Sequence, residues 1–382
     1  MMFDHRVRVT FGEHNEQGAG LESGDIASFD LTSDMLELAD PFTLTAPLTS
    51  ELWDLTPPDS TVRVFIDDSQ VLEGYLDERE RTLDRSGSVL SLSGRDKGGR
   101  LVDESAPFLT YGNVGDLESL AKSLVAPWFP SVTLSNARNR ALVRGRGRRL
   151  ARVSGEPAIV ADRREARKVE PGETTAQVLN FFLERAGLLG WSSADGREFI
   201  IGKPNYSQAP QFFFFAGAAG SSRMRETNIL SAVYRESVSE RYSEIQAVGS
   251  STGDSENYGP NVTRRTATAR SNALLHRKRL VVVDDDVKSA SAAQARADRE
   301  MRLRDAAGRA LTLSVAGFGQ ALGGDPETRP ALYACDTMAR WEDEEIGLRG
   351  DYLITKVRFT RDRDGERTEL SLVPRGTELV SR

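Results

Sequence analysis

The residues able to do chemistry in this chain are few and scattered. Histidine occurs only at positions 5, 14 and 276, and no pair has the spacing that would put two imidazoles on one helix face around a metal. All three are expected at the surface. Cys335 is the one cysteine, which excludes an intrachain disulfide and any cysteine-built zinc cluster. The sequence has no GxxxxGK[ST] loop and no strand–GxGxxG–helix unit, and its GxSxG match at Gly249–Gly253 opens a Gly/Ser/Asn-rich loop rather than the strand-to-helix turn of a nucleophile elbow. The usual signatures of nucleotide binding and serine hydrolysis are therefore missing.

Two acidic clusters remain. Asp284-Asp285-Asp286 could ligate a cation. It precedes a helical pattern, however, where the expected role is an N-cap with first-turn acids set against the helix dipole. Trp341-Glu342-Asp343-Glu344-Glu345 places an aromatic ring beside carboxylates, as a glycosidase site would. Consecutive residues of a strand or turn diverge, so an acidic hairpin tip is the expected form. The reading is of a chain with no catalytic residue, no cofactor and no metal, and not an enzyme.

Two further segments suggest surfaces rather than reactions. Between Arg138 and Arg152 lie seven arginines in fifteen residues with no acid among them, Arg144, Arg146, Arg148 and Arg149 at their centre. Such an arm could contact phosphates, but no aromatic residue is interleaved for base stacking. An acidic partner surface or the lining of a lumen is the alternative. Phe212, Phe213, Phe214 and Phe215 form a tetrad that as a strand puts two rings on each face, so both faces should be covered, by domain packing or a subunit interface.

The elements that carry these residues change character along the chain. Residues 1–104 read as short alternating strands and tight turns: Val7–Phe11, Ile26–Leu31, Pro41–Thr45, Thr61–Ile66, Val71–Arg79 and Ser88–Ser93. Leu48–Leu55 reads as one helical turn stopped by Pro57-Pro58. This is the pattern of a small β-barrel or sandwich. Residues 105–225 read as an α+β domain, interrupted by an irregular insert at about 135–170. One helix follows Asp116, a second opens at Glu173–Thr175 and ends at Gly187, and a hairpin turns at Asp195-Gly196. Residues 226–382 return to strands around one helix at about 288–307. The fold class is a multidomain, β-rich α+β chain.

The last region can be laid over the first. Val62–Phe65, Gly74-Tyr75-Leu76, Asp84–Gly87 and Leu90-Ser91-Leu92 recur in order as Asp336–Ala339, Asp351-Tyr352-Leu353, Asp362–Gly365 and Leu370-Ser371-Leu372. Short strands match by chance easily, so pattern alone leaves a duplication open. Between the regions, Gly94, Arg95, Asp96, Lys97, Leu101 and Asp103 mark where strand texture gives way to helix texture. We read this segment as a structural hinge.

With 382 residues the chain exceeds one ordinary core. A net charge of −7 argues against non-specific DNA binding by the whole molecule. The N-terminus lacks the apolar stretch of an export signal, and Phe212–Ala219 is far too short to span a bilayer, so no membrane insertion is expected. One cysteine suits assembly in a reducing cytoplasm.

The opening Val7–Phe11 strand, the Ser93-Gly94-Arg95-Asp96-Lys97 and Arg100-Leu101-Val102-Asp103 segments, and the helix–strand unit Ala290–Gly317 together resemble the Mu-like prophage tail hub protein family. The resemblance implies two related small β-barrel domains with an α+β domain between them. It further implies a homotrimeric baseplate hub in a contractile virion tail, with six barrels in a ring joining a six-fold tail tube to a three-fold central spike. Its implied partners are the tail tube protein, the spike protein and other baseplate proteins, with DNA passing through the lumen. The insert at 138–152, the loop at 250–261 and residues 319–333 depart from the family pattern. Two readings of other classes stay open: a cell-wall- or carbohydrate-acting enzyme with carboxylates from separate segments, and a nucleic-acid-binding protein using Arg138–Arg152.

Overall fold

The computed structural model describes residues 5–12, 20–85, 87–108, 110–111, 117–134, 167–218, 228–249, 265–272, 274–284, 287, 289–321 and 330–379. Arg144, Arg146, Arg148, Arg149 and His14 lie outside the described residues. The chain divides into two compact units. Unit 1 comprises Met1–Ala151, Ala158–Ala232 and Thr312–Leu372; unit 2 comprises Arg152–Pro157, Val233–Leu311 and Val373–Arg382.

Unit 1 is organised by two three-stranded meanders. In the first, Thr61–Ile66, Ser69–Asp84 and Gly87–Asp96 follow one another antiparallel. Asp67 and Asp68 turn the first corner at φ of 52° and 66°, the left-handed geometry that a tight hairpin demands and aspartate tolerates. In the second meander, Thr337–Asp343, Leu348–Asp362 and Gly365–Pro374 repeat the arrangement. The middle strands are 16 and 15 residues long and the last strands 10 and 10. The second turn has two residues in each meander, as in the sequence overlay, whereas the first has two residues in one and four in the other.

The meanders are joined through two intervening strands. Leu348–Asp362 pairs antiparallel with Ser28–Asp34, from Lys356↔Asp34 to Arg361↔Phe29. Ser28–Asp34 continues through Pro41–Pro47 into Gly87–Asp96. Beyond Thr61–Ile66 the sheet is extended by Val7–Phe11 and Gly20–Glu22. Phe212–Ala216 adds a parallel strand to Thr337–Asp343. Alternation puts Val9, Phe29, Leu31, Phe42, Leu44, Val62, Val64 and Leu92 inside, around a small apolar void. Phe318, Tyr333, Met338, Trp341, Leu353, Phe359, Leu370 and Leu372 form the corresponding interior on the C-terminal side.

His5 is buried, contrary to the surface role expected for it. Its Nδ1 lies 2.5 Å from Asp67 Oδ2, and its Nε2 accepts the Phe318 backbone N–H at 3.3 Å. The reason is topological: the first strand's lead-in crosses the C-terminal half of the chain, where the ring packs on Phe318.

Among the described residues unit 1 also holds four helices, α1 (Ser50–Leu55), α2 (Gly98–Asp103), α3 (Leu117–Val125) and α4 (Thr175–Ala186). A second sheet accompanies them, with Glu198–Gly202 between Leu189–Ser192 and Ser131–Leu134. Leu120, Leu124, Val178, Leu179, Leu183, Phe199 and Ile201 share one core there. Helix α4 starts in a capping box between Thr174 and Gln177 and stops at Gly187, φ 66°.

Unit 2 holds a three-stranded sheet in which Glu244–Gly249 lies between Arg265–Arg270 and Arg279–Asp284. Helix α5 (Ala290–Ala307) lays Ala293, Ala297 and Met301 along the unit, the latter two packing with Ile245, Ala247 and Ala269. Small side chains let helix and sheet approach closely. The N-cap of α5 is Ser289, whose Oγ accepts the Ala292 N–H at 3.1 Å, and its first turn has no acid. The aspartates therefore do not cap it: Asp284 ends its strand and pairs with Arg296 at 3.1 Å, while Asp285 and Asp286 lie outside the described residues. Among the described residues no helix is long and apolar enough to cross a membrane.

Candidate functional site

The segment singled out as a hinge is an ordered junction. Gly87–Asp96 alternates buried and half-buried residues to its last position, and α2 begins two residues later. Glycine is required on both sides of the close strand contact here. A Cβ at Gly94 would stand 2.1 Å from the Tyr75 carbonyl oxygen, and one at Gly74 would stand 2.1 Å from that of Arg95. Gly98 is tighter still, its Cβ position 1.5 Å from Leu38 O.

Arg95 ties strand to helix. Its guanidinium donates to Asp77 at 2.7 Å and to Asp103 at 2.6 Å, both in fork geometry. The hydrogen bond from Arg95 holds the Asp103 carboxyl below its usual range. Leu101 is fully buried among the helical-layer residues. Arg100 reaches back over the Tyr75 ring, 4.5 Å from its centroid, and ion-pairs with Asp59.

Asp96 and Asp40 form a buried carboxyl pair. Asp96 Oδ1 accepts the Asp40 N–H at 3.0 Å, and the backbones of Gly98 and Gly99 also donate to this side chain. Asp40 Oδ1 in turn accepts the Asp34 N–H at 2.9 Å. Burial pushes Asp40 up to about 9, helped by the neighbouring Asp96; burial alone pushes Asp96 up to about 6 against its hydrogen bonds. At neutral pH the pair thus keeps a proton on Asp40.

Lys97 is also buried. Its Nζ lies 2.8 Å from Glu73 Oε1 and donates to Gly196 O at 3.0 Å. Gln70 donates to Asp195 O at 2.7 Å and to Glu73 at 3.1 Å. The Asp195-Gly196 hairpin tip is therefore clamped on the Ser69–Asp84 strand. Gly196 adopts φ 64°, and a Cβ there would meet Glu73 Cβ at 2.5 Å. The sequence pointed to the hinge and to the turn separately. Glu73, Gln70 and Asp40, which join them, were missed, because partners so far apart in the chain leave no spacing signal.

The phenylalanine tetrad is split unevenly. Phe212, Phe214 and Phe215 are buried, whereas Phe213 is 57% exposed. The Gln320 side chain takes both backbone groups of Phe213, accepting its N–H and donating to its carbonyl at 2.8 Å each. The two-and-two covering expected for the tetrad is thus not met within the chain. Trp341, expected beside the acidic tip, is buried in the sheet. Its ring cannot serve as a sugar platform. Among the described residues no group of three or more histidine, cysteine or acidic side chains is placed to hold a metal ion.

Chemically the junction offers fixed ion pairs and no nucleophile poised beside a base. Comparisons with known proteins fit that character. Residues 19–96 match the family described as Mu phage baseplate assembly protein GpP-like, N-terminal. The chain is 25% identical over 321 residues to the baseplate hub protein gp44 of Escherichia phage Mu, covering 81% of this chain and 74% of that protein. Its fold matches the tail protein from Neisseria meningitidis MC58 with a TM-score of 0.74 at 23% identity, covering 99% of each chain. It also matches the 43 kDa tail protein of prophage MuSo2 from Shewanella oneidensis with a TM-score of 0.73 at 20% identity, covering 97% and 98%. From its first strands to its last, the chain resembles the Mu-like phage baseplate hub and tail proteins.

Proposed function

We propose that this chain is a structural baseplate hub subunit of a contractile phage-type tail, built into the virion, with no catalysis of its own. The observation that carries the reading is the repeated meander, two per chain in one continuous sheet. Each meander forms the wall of a small barrel-like domain, and three chains set six such walls around a ring. A ring of that kind presents quasi-six-fold symmetry to a tail tube and three-fold symmetry to a central spike. The α+β region between the meanders faces other baseplate proteins, and the Gly94–Asp103 junction fixes it to the first barrel. The exposed Phe213 ring is of a residue type enriched at protein–protein interfaces and is available for a contact with a neighbouring protein.

Mass in solution tests the reading. With a chain mass of 42.0 kDa, light scattering is expected to give three times that value at micromolar concentration. A monomer persisting to high concentration contradicts the hub assignment.

A further inference from the structure

The sheet order contains the same five positions twice. Ser28–Asp34, Pro41–Pro47, Gly87–Asp96, Ser69–Asp84 and Thr61–Ile66 are neighbours in that order. Ile229–Glu236, Arg309–Ala316, Gly365–Pro374, Leu348–Asp362 and Thr337–Asp343 repeat it. The two sets join where the second half of Leu348–Asp362 receives Ser28–Asp34. This joint also carries an ion pair, Lys356 Nζ to Asp34 Oδ2 at 3.5 Å.

Applying the same joint once more exposes two edges that lack their partners. In the first set, pairing of Thr61–Ile66 with the middle strand ends at Tyr75, so among the described residues Asp77–Asp84 has a strand neighbour, Gly87–Asp96, on one side alone. At the far end of the sheet lies Ile229–Glu236, with six of its eight residues exposed. Leu83 is 67% and Leu230 55% exposed. Among the described residues the Glu78 and Arg235 side chains have no hydrogen bond or ion pair. Open edges of this length are sites for strand addition.

The register of the joint can be carried over. The middle strands are offset by 278, from Asp84 to Asp362 and Gly87 to Gly365, and the first strands by 201, from Ser28 to Ile229. On these offsets Lys356↔Asp34 becomes Glu78↔Arg235, and Arg361↔Phe29 becomes Leu83↔Leu230. Both unpaired charges fall opposite each other with their signs exchanged, and both exposed leucines fall opposite each other. A one-residue slip would break both matches.

We infer that Ile229–Glu236 of one subunit pairs antiparallel with Asp77–Asp84 of a second copy of this chain, in the register Glu78↔Arg235 and Leu83↔Leu230. The contact is head to tail, so repeating it either closes a ring or grows a filament. Closure after three copies rests on the trimeric reading above. Among the described residues the two strands are not neighbours within one chain, so the pairing is between chains.

The test is a disulfide in a Cys335→Ser background. Directly opposed residues of antiparallel strands have Cα atoms about 4.5–5.5 Å apart, within the span a disulfide bridges. Leu83→Cys with Leu230→Cys is expected to give covalent dimers and trimers under oxidation that collapse on reduction, while either substitution alone stays monomeric on the gel. Leu83→Cys with Ser231→Cys points one residue to the wrong face and is expected to cross-link at least tenfold less. In parallel, Glu78→Arg or Arg235→Glu should weaken trimer assembly at least tenfold, and the double reversal should restore it. A trimer of normal mass with no Leu83–Leu230 bridge, or with an equally strong Leu83–Ser231 bridge, overturns the pairing and leaves the hub reading standing. A wild-type chain that is monomeric throughout overturns both.

Discussion

At the residue scale, the Asp40–Asp96 pair makes the sharpest physical statement. Two neighbouring buried carboxyls cannot both ionise cheaply, and both are raised, to about 9 and about 6. A carboxyl whose folded-state pKa exceeds its unfolded value of about 4 contributes fully to stability below pH 4. It loses that contribution as pH rises through the folded value. The wild-type melting temperature should therefore fall between pH 5 and pH 9. Asp40→Asn keeps the shape of the protonated form and removes the titration. Thermal denaturation should show it flattening the profile and stabilising the fold at pH 8 by roughly 2 kcal/mol or more; an unchanged slope would mean that Asp40 ionises freely.

At the element scale, stability depends on how the helical layer is fastened to the sheet. The fastening runs through Arg95 to α2 and through Lys97 and Gln70 to the Asp195-Gly196 turn. Gly196→Ala puts a Cβ into Glu73 and strains a left-handed residue. A loss of about 1–3 kcal/mol by chemical denaturation is expected, with amide exchange speeding up first in Leu189–Gly202; protection there equal to wild type would show that the turn is not clamped. The turn itself was readable, because Asp-Gly between alternating residues has few other conformations. So were both meander corners and the Thr174–Gly187 helix, whose caps are local chemistry. The seat of that turn on Glu73 was not readable. Nor was the pairing of Leu348–Asp362 with Ser28–Asp34, since alternation tells a strand which face is buried and not which strand lies beside it. His5 and the Ser289 cap were misjudged for related reasons. A polar side chain's burial is decided by distant packing, and a nearby serine outcompeted a conspicuous acidic run.

At the scale of the whole molecule, the repeated meander is the feature from which the assembly follows. On the proposed pairing, the charges and leucines at the two edges of one chain are matched by those of the next. The arginine-rich segment adds a strong local positive charge to a chain of net charge −7. The most direct test of the central claim is the symmetry of the purified assembly seen end-on by electron microscopy. The account predicts a closed ring of three chains showing six strand-walled densities of two alternating kinds. A monomer, or an oligomer with no such six-fold arrangement, would contradict it.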